Sequence, residues 1–133
     1  MEKLELLKVK YEQACRAAKT LVDILTEPFS IIVRDATIQR FEYTFEAIWK
    51  FLKEYLKQKV GVHVHGPKDV FREIFAAGIL TEDETFHLNQ IVDYRNLTVH
   101  TYKEELAQEI YEKILKDGYF LEEVLKRFRD KIK

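Results

Sequence analysis

The chain has 133 residues, which suits one domain. A chain of this length can form a hydrophobic core without the help of disulfides or bound metal. Apolar residues make up 47% and charged residues 34%, with only 4 Gly and 2 Pro, a globular and helix-rich composition that argues against disorder. The 22 basic and 23 acidic side chains give a net charge of −1, so broad electrostatic attraction to nucleic acid is not expected.

The sequence shows no sign of export or of a membrane span. The single cysteine, Cys15, rules out an internal disulfide and lies on an apolar helical stripe, where a small buried side chain is a simpler interpretation than a catalytic thiol. The charged start MEKLELLKVKYE is unlike a signal peptide, and no apolar run approaches the roughly 18 residues that a membrane span needs. We therefore expect a cytoplasmic protein.

Apolar residues at three- and four-residue steps predict two long amphipathic helices in the first half of the chain. The first ends or bends at Pro28. The second runs from about Ser30 to Lys59. The segment VGVHVHGP at 60–67 then breaks the helical pattern.

Shorter helices are predicted in the second half. Gly66-Pro67 is a helix-start signal, and Gly78 should end that helix as a left-handed C-terminal cap. Thr81 and Glu84 form a capping box in TEDE, which opens the next helix.

The end of the chain carries two further boundary signals. Thr101 and Glu104 in TYKE predict a second capping box, and Gly118 divides the helical pattern that follows it. The predicted fold class is therefore all-α, an antiparallel bundle of five or six helices in a single domain over residues 1–133.

The segment RNLTVHTY at 95–102 departs from this plain helical pattern. Arg95 and His100 would lie about 140° apart around an unbroken helix. If the next helix begins just after His100, however, the chain turns there, and the imidazole can return over the guanidinium. An arginine, an imidazole and a helix N-terminus are groups that hold a phosphate, whereas Glu104 and Glu105 add negative charge to the same turn.

These groups suit phosphodiester chemistry. His100 would act as general base or acid for attack by a ribose 2′-hydroxyl, and Arg95 would stabilise charge on the phosphate. Asn96 would orient the imidazole or contact the phosphate. No metal is required, and one histidine without an acidic pair suits a metal poorly. On the residues alone an ordinary interpretation stays open, in which Arg95 pairs with a carboxylate and His100 merely ends a helix.

Other polar residues have simpler interpretations. His63, His65 and His87 lack the acidic or cysteine partners of a metal site, so a solvated loop is favoured over metal binding for VHVHGP. Glu46 precedes Lys50 at the spacing of a surface salt bridge on the second helix. Whether this helix also contacts the arginine or the histidine of RNLTVHTY stays open.

RNLTVHTY resembles the R-x4-H-x-Y signature of HEPN-fold proteins, in particular the HepT-like group that is paired with a minimal nucleotidyltransferase (MNT). The chain is most similar to the branch called nucleotidyltransferase substrate-binding proteins, and the likeness covers roughly residues 5–128. Three further segments resemble this family in the same order: RFEYTFEAIWKFLKEYL at 40–56, GPKDVFREIFAAGIL at 66–80 and TYKEELAQEIYEKI at 101–114.

The resemblance implies a homodimer with its two R-x4-H motifs near the dimer cleft. It implies that Arg95, Asn96 and His100 are ribonuclease residues with RNA as substrate, and that Tyr102 is the tyrosine adenylylated by the partner MNT. The expected function is a toxin-type, metal-independent endoribonuclease that leaves a 2′,3′-cyclic phosphate, needs no cofactor and is restrained by its partner. The alternatives are a non-catalytic subunit that presents a nucleotide or other substrate to the nucleotidyltransferase, and a plain interaction bundle.

Overall fold

The computed structural model describes residues 2–133 as five α-helices, which confirms the predicted all-α bundle. A π-helical turn, Leu56–Val60, extends the second helix, and a 3-10 turn, Leu97–His100, follows the fourth. No helix within the described residues is long and apolar enough to cross a membrane. The helices are α1 (Lys3–Ile24), α2 (Ile31–Tyr55), α3 (Pro67–Ala76), α4 (Glu82–Asn96) and α5 (Glu104–Lys126).

The long helix α2 is the spine of the bundle. It packs against α1 and α5 on one side and against α3 on the other, while α3 and α4 form a pair. The fully buried Phe45 of α2 meets Phe71 of α3, with ring centroids 6.0 Å apart. Phe41 of α2 stacks on Tyr94 of α4 at 5.2 Å. The end of α4 thus lies beside α2, and polar side chains of α2 can contact the residues there.

Most helix boundaries follow local signals in the sequence. The Ser30 side chain accepts a hydrogen bond from the backbone N–H of Val33 at the start of α2, and Pro67 is at the first turn of α3. Gly78 has a φ of +80°, the left-handed conformation that closes a helix. Thr81 and Glu84 form both halves of a capping box at the start of α4. These predictions are confirmed.

The predicted second capping box is wrong. The helix α5 begins after Lys103, and the Thr101 hydroxyl donates instead to the carbonyl of Thr98 at 3.0 Å. Glu104, which would complete the box, accepts a hydrogen bond from Arg34 of α2 at 2.8 Å. A charged contact with another helix thus takes the carboxylate that a local cap would need.

The predicted break at Gly118 is also wrong, because α5 runs through this residue to Lys126. A Cβ atom at Gly118 would lie 2.6 Å from Cδ1 of Leu25, just after α1. The glycine therefore allows close packing of α5 against this chain segment rather than ending the helix. In contrast, Gly61 does end a helical segment, since its φ of +79° closes the π turn after α2.

Cys15 has the structural role that its position on α1 predicts. Its side chain is half-buried and packs against the core. Burial raises the pKa of the thiol, which keeps it protonated and poorly nucleophilic near neutral pH.

Candidate functional site around the turn after α4

The R-x4-H-x-Y segment lies where α4 gives way to α5. The turn Leu97–His100 is fixed by Thr98, a buried residue whose hydroxyl donates to the carbonyl of Arg95 at 2.7 Å. As predicted, the chain turns between Arg95 and His100. The turn leaves Asn96 and His100 exposed to solvent.

The Arg95 side chain is held between α2 and the turn. Its Nη2 donates to Oε1 of Glu46 at 3.2 Å, and its Nη1 donates to Oγ1 of Thr98 at 3.3 Å. Its Nε is buried and has no acceptor within residues 2–133. Nη1 and Nη2 each carry two N–H groups, and each nitrogen makes one of these side-chain hydrogen bonds, so Arg95 is oriented by the protein and keeps further N–H groups on its terminal nitrogens.

Glu46 is the site residue that the sequence did not identify. One carboxylate oxygen accepts from Arg95, and the other accepts from Trp49 Nε1 at 3.2 Å and lies 3.7 Å from Lys50 Nζ. The pair with Lys50 follows from the i, i+4 spacing, whereas the contact with Arg95 joins residues 49 positions apart. No local pattern indicates which face of α2 lies against α4. Glu46 therefore ties the orientation of Arg95 to α2.

His100 and Tyr102 lie together at the exposed end of the turn. The Tyr102 hydroxyl and His100 Nδ1 are 3.4 Å apart, a long hydrogen bond, and the two rings meet edge to face at 5.9 Å. The Tyr102 side chain is 74% exposed. No hydrogen bond joins the imidazole to the Arg95 guanidinium in the described part of the chain, so the predicted return of His100 over Arg95 is not seen within one protomer.

A buried arginine anchors the start of α5 next to this turn. Arg34 is 3% exposed and donates to both oxygens of Glu104, at 2.8 and 3.2 Å, and to Asp35 at 3.0 Å. The hydrogen bond with Glu104 raises the pKa of Arg34, and Arg34 in turn lowers the pKa of Glu104. Arg34 thus neutralises a carboxylate that would otherwise repel an anion at the start of α5.

The surface on the α2 side of Tyr102 is acidic. A cleft of about 270 Å³ opens there between α2 and the end of the α4–α5 connection. We call it the acidic cleft because Asp35 and Glu42 are its charged residues. Its remaining lining consists of Ile38, Gln39, Thr101 and Tyr102. Asp35 is paired with Arg34, so within the described residues Glu42 is the carboxylate of this cleft that has no salt bridge, and it makes this side unfavourable for an anion.

The other histidines are dispersed. His63 and His65 are exposed in the segment between α2 and α3. His87 lies on α4, where its Nε2 is 2.7 Å from Asp117 and its ring stacks on Phe120 at 4.3 Å. Within residues 2–133, no group of three or more His, Cys, Asp or Glu side chains is placed to hold a metal ion.

The helical bundle and the R-x4-H-x-Y turn define a HEPN-type protein. The sequence profile of the family described as nucleotidyltransferase substrate binding protein like matches residues 7–132. The chain belongs to this family.

Three relatives illustrate the relationship. A probable ribonuclease HepT from Haemophilus influenzae is 30% identical over 98 residues, 68% of this chain and 66% of that protein, so the match spans just under two thirds of the relative. A crystal structure of a protein from Thermus thermophilus is 46% identical with a TM-score of 0.80, covering 87% of this chain and 98% of that one. A chain of a mutant toxin–antitoxin MntA–HepT structure is 16% identical with a TM-score of 0.67, covering 92% and 98%, and it supports the fold alone.

Proposed function

We propose that the chain is a metal-independent endoribonuclease restrained by a separate minimal nucleotidyltransferase. The observation that carries the proposal is the turn after α4, which exposes His100 and Asn96 and begins at an arginine that Glu46 and Thr98 hold in one orientation. The family and the relative named as a probable ribonuclease support the same activity.

The reaction is a transesterification of the RNA backbone. The ribose 2′-oxygen attacks the neighbouring phosphorus, the bond from phosphorus to the 5′-oxygen breaks, and the products are a 2′,3′-cyclic phosphate and a 5′-hydroxyl. His100 accepts the proton of the 2′-hydroxyl, and imidazolium returns a proton to the leaving 5′-oxygen. Arg95 stabilises the charge that builds on the phosphate, and Asn96 orients the imidazole or the phosphate.

The working form in this proposal is a homodimer with the two turns at one cleft. Exposed apolar side chains support it, because Val99 in the turn is 67% exposed and Ile32 at the start of α2 is 82% exposed. Light scattering after size-exclusion chromatography should give the mass of a dimer. We expect Val99→Glu to shift it to the mass of a monomer, because the charge would be buried in the interface.

Tyr102 is the proposed point of control. Its phenol is exposed to a partner enzyme and lies beside the His100 imidazole. Transfer of AMP from ATP to the phenol oxygen forms a phosphodiester and releases pyrophosphate. The added group brings bulk and negative charge next to His100, which blocks the ribose and repels the substrate phosphate.

The test is cleavage of mixed RNA in EDTA by the purified protein without its partner. The mass of the Tyr102 peptide must first show an unmodified phenol. We expect His100→Ala to slow cleavage by about 100-fold or more and Arg95→Ala by about 100-fold. Arg129→Ala is the control, since this exposed arginine lies after α5 and away from the turn.

Two outcomes would contradict the ribonuclease proposal. One is cleavage that persists in both variants at the wild-type rate. The other is a folded, unmodified dimer that cleaves no RNA, in which case a non-catalytic subunit that presents a substrate to the nucleotidyltransferase becomes the better account.

A further inference from the structure

A second cavity beside α2 is lined mainly by basic residues, in contrast to the acidic cleft. A groove of about 510 Å³ lies between α1, the second half of α2 and the segment before α3. We call it the basic groove. Its charged lining consists of Lys10, Lys50, Lys53, Lys57 and a single carboxylate, Glu54. His63 and His65 also line it, together with Trp49 and Val64.

The positive charge continues beyond this groove. An adjoining cleft of about 390 Å³ shares Glu54 and Lys57 with the basic groove and adds Lys3 and Lys59. Six lysines therefore face one glutamate along this side of the molecule. The overall net charge of −1 conceals the concentration, because acidic residues dominate elsewhere.

Most of these lysines lack a carboxylate partner. Within residues 2–133, Lys50 is the only one of the six in a salt bridge, 3.7 Å from Glu46. Elsewhere on the surface, Lys19 pairs with Asp23 and Lys68 with Asp93. Like charges gathered without partners repel one another, and an anionic ligand relieves that repulsion. The groove therefore has the electrostatics of an anion-binding surface.

The shape of the groove suits an extended chain of phosphates. Lys50, Lys53 and Lys57 recur at three- and four-residue steps, so they share one face of α2. From Glu46 to Lys57 this face extends about 17 Å along the helix axis. His63 and His65 are both exposed at alternate positions of the facing segment and line the wall opposite the lysines.

One end of the basic groove reaches the candidate site. Trp49 and Lys50 line the groove and contact one oxygen of Glu46, whose other oxygen accepts from Arg95. Glu46 thus connects the basic groove to the Arg95 guanidinium. The acidic cleft, which has no lysine or arginine in its lining, is less favourable for a phosphate than the basic groove.

We infer that the basic groove binds the phosphate backbone of single-stranded RNA, with one base stacked on Trp49, and directs the strand to Arg95. The direction of the strand rests on the proposed ribonuclease function, whereas the binding itself does not. Lysines supply the phosphate contacts, and an aromatic ring gives sequence-tolerant stacking, the combination that single-stranded nucleic acid requires.

The test uses an uncleavable probe of about ten nucleotides, a length within the range that single-strand sites cover. In a 2′-O-methyl RNA strand the attacking hydroxyl is blocked, so binding is measured apart from cleavage. Trp49 is the only tryptophan in the chain, and quenching of its fluorescence therefore reports occupancy of the basic groove. Fluorescence anisotropy of the labelled strand gives the affinity.

The variant is Lys53→Gln with Lys57→Gln. Each lost phosphate contact should lower affinity about fivefold at about 0.1 M salt, so the double variant should bind about 25-fold more weakly. The slope of log affinity against log salt should fall by about 1.4. Lys19→Gln with Lys116→Gln removes the same charge outside the groove, and we expect nearly unchanged binding.

Equal weakening in the two double variants would overturn the inference, because only net charge would then matter. Tighter binding of ATP than of the strand would also overturn it, since the groove would then be a site for free nucleotide. Failure of the ribonuclease proposal is recognised separately. A wild-type protein that binds the strand through Lys53 and Lys57 but cleaves no RNA keeps the groove and loses the activity. Conversely, the groove variant could cleave RNA at the wild-type rate with an unchanged KM. That result would reject the role of the basic groove and leave the ribonuclease proposal standing.

Discussion

Replacement of Glu46 by alanine should disorder the arginine of the candidate site, although Glu46 itself has no proposed contact with the substrate. Glu46 accepts from Arg95 and from Trp49, at 3.2 Å in each case. Without it, Arg95 keeps one side-chain partner, Thr98, and its Nε is already unpaired. We therefore expect the guanidinium to sample orientations that do not favour the phosphate.

The effect on stability should be modest. The Glu46 and Arg95 side chains are 35% and 21% exposed, so solvent weakens their ion pair. Loss of the two hydrogen bonds should lower the free energy of unfolding by about 1–2 kcal/mol. For a chain of this size the melting temperature should then fall by about 4–7 °C.

The effect on catalysis should be larger. A displacement of about 1 Å in a catalytic group can cost about 100-fold in rate, so we expect kcat for RNA cleavage to fall about 10- to 100-fold in Glu46→Ala. Glu46→Gln should be intermediate, because its amide has one acceptor oxygen where Arg95 and Trp49 each require one. KM should change less than kcat, since Lys53 and Lys57 of the basic groove do not pair with Glu46.

The matched control is Glu42→Ala, one turn earlier on α2. Glu42 lines the acidic cleft and makes no side-chain hydrogen bond or salt bridge within residues 2–133. The assay is steady-state cleavage at a temperature at which circular dichroism shows every variant fully folded. Full activity of Glu46→Ala, or an equal loss of kcat in Glu42→Ala, would refute the positioning role of Glu46.

Two further predictions concern stability. Hydrogen bonds from Arg127 hold the pKa of Glu84 at about 2, below its usual 4.5, so their stabilisation is present above about pH 4.5 and lost as the pH falls toward 2. Denaturation should be measured between pH 7 and 2 for the wild type and Glu84→Gln. The variant should be less stable by about 1–2 kcal/mol at neutral pH, and its stability should fall less steeply in acid. Parallel stability curves for the two proteins would reject this linkage. Thr81→Ala should lower stability by about 1 kcal/mol, because α4 loses its N-terminal cap, whereas Thr101→Ala should lower stability less. Urea titration measures both effects, and the reverse order would contradict the assigned helix starts.

The parts of the fold that sequence predicts are those fixed by neighbouring residues. Ser30, Pro67 and Thr81 start helices through bonds or backbone angles within one turn, and their outcome matches the pattern. Thr101 carries the same signal as Thr81, yet Arg34 lies 70 positions away from Glu104 and takes its carboxylate. Local patterns cannot anticipate such a competitor.

Glycine illustrates the same limit. Gly78 ends a helix because its backbone is left-handed, whereas Gly118 lies inside α5 because Leu25 packs against it. The sequence shows a glycine in both places. Only the packing of α5 on the segment after α1 shows that Gly118 allows close helix packing while Gly78 ends a helix.

The candidate site divides along the same line. Arg95, Asn96, His100 and Tyr102 are adjacent in the sequence and form a recognisable signature. Glu46 and the basic groove depend instead on how α1, α2 and the segment before α3 meet. The net charge of the chain sums these lysines with acidic residues that lie elsewhere, so it does not reveal the basic groove.

The most direct test of the account is cleavage of a 2′-O-methyl RNA strand that carries a free 2′-hydroxyl at one position, in EDTA, by the unmodified protein. The account predicts a single cut after that ribose, with a 2′,3′-cyclic phosphate on one product and a 5′-hydroxyl on the other by mass spectrometry, and no cut with His100→Ala. An intact strand, or a cut that also occurs when every 2′-hydroxyl is methylated, would contradict ribonuclease chemistry at His100.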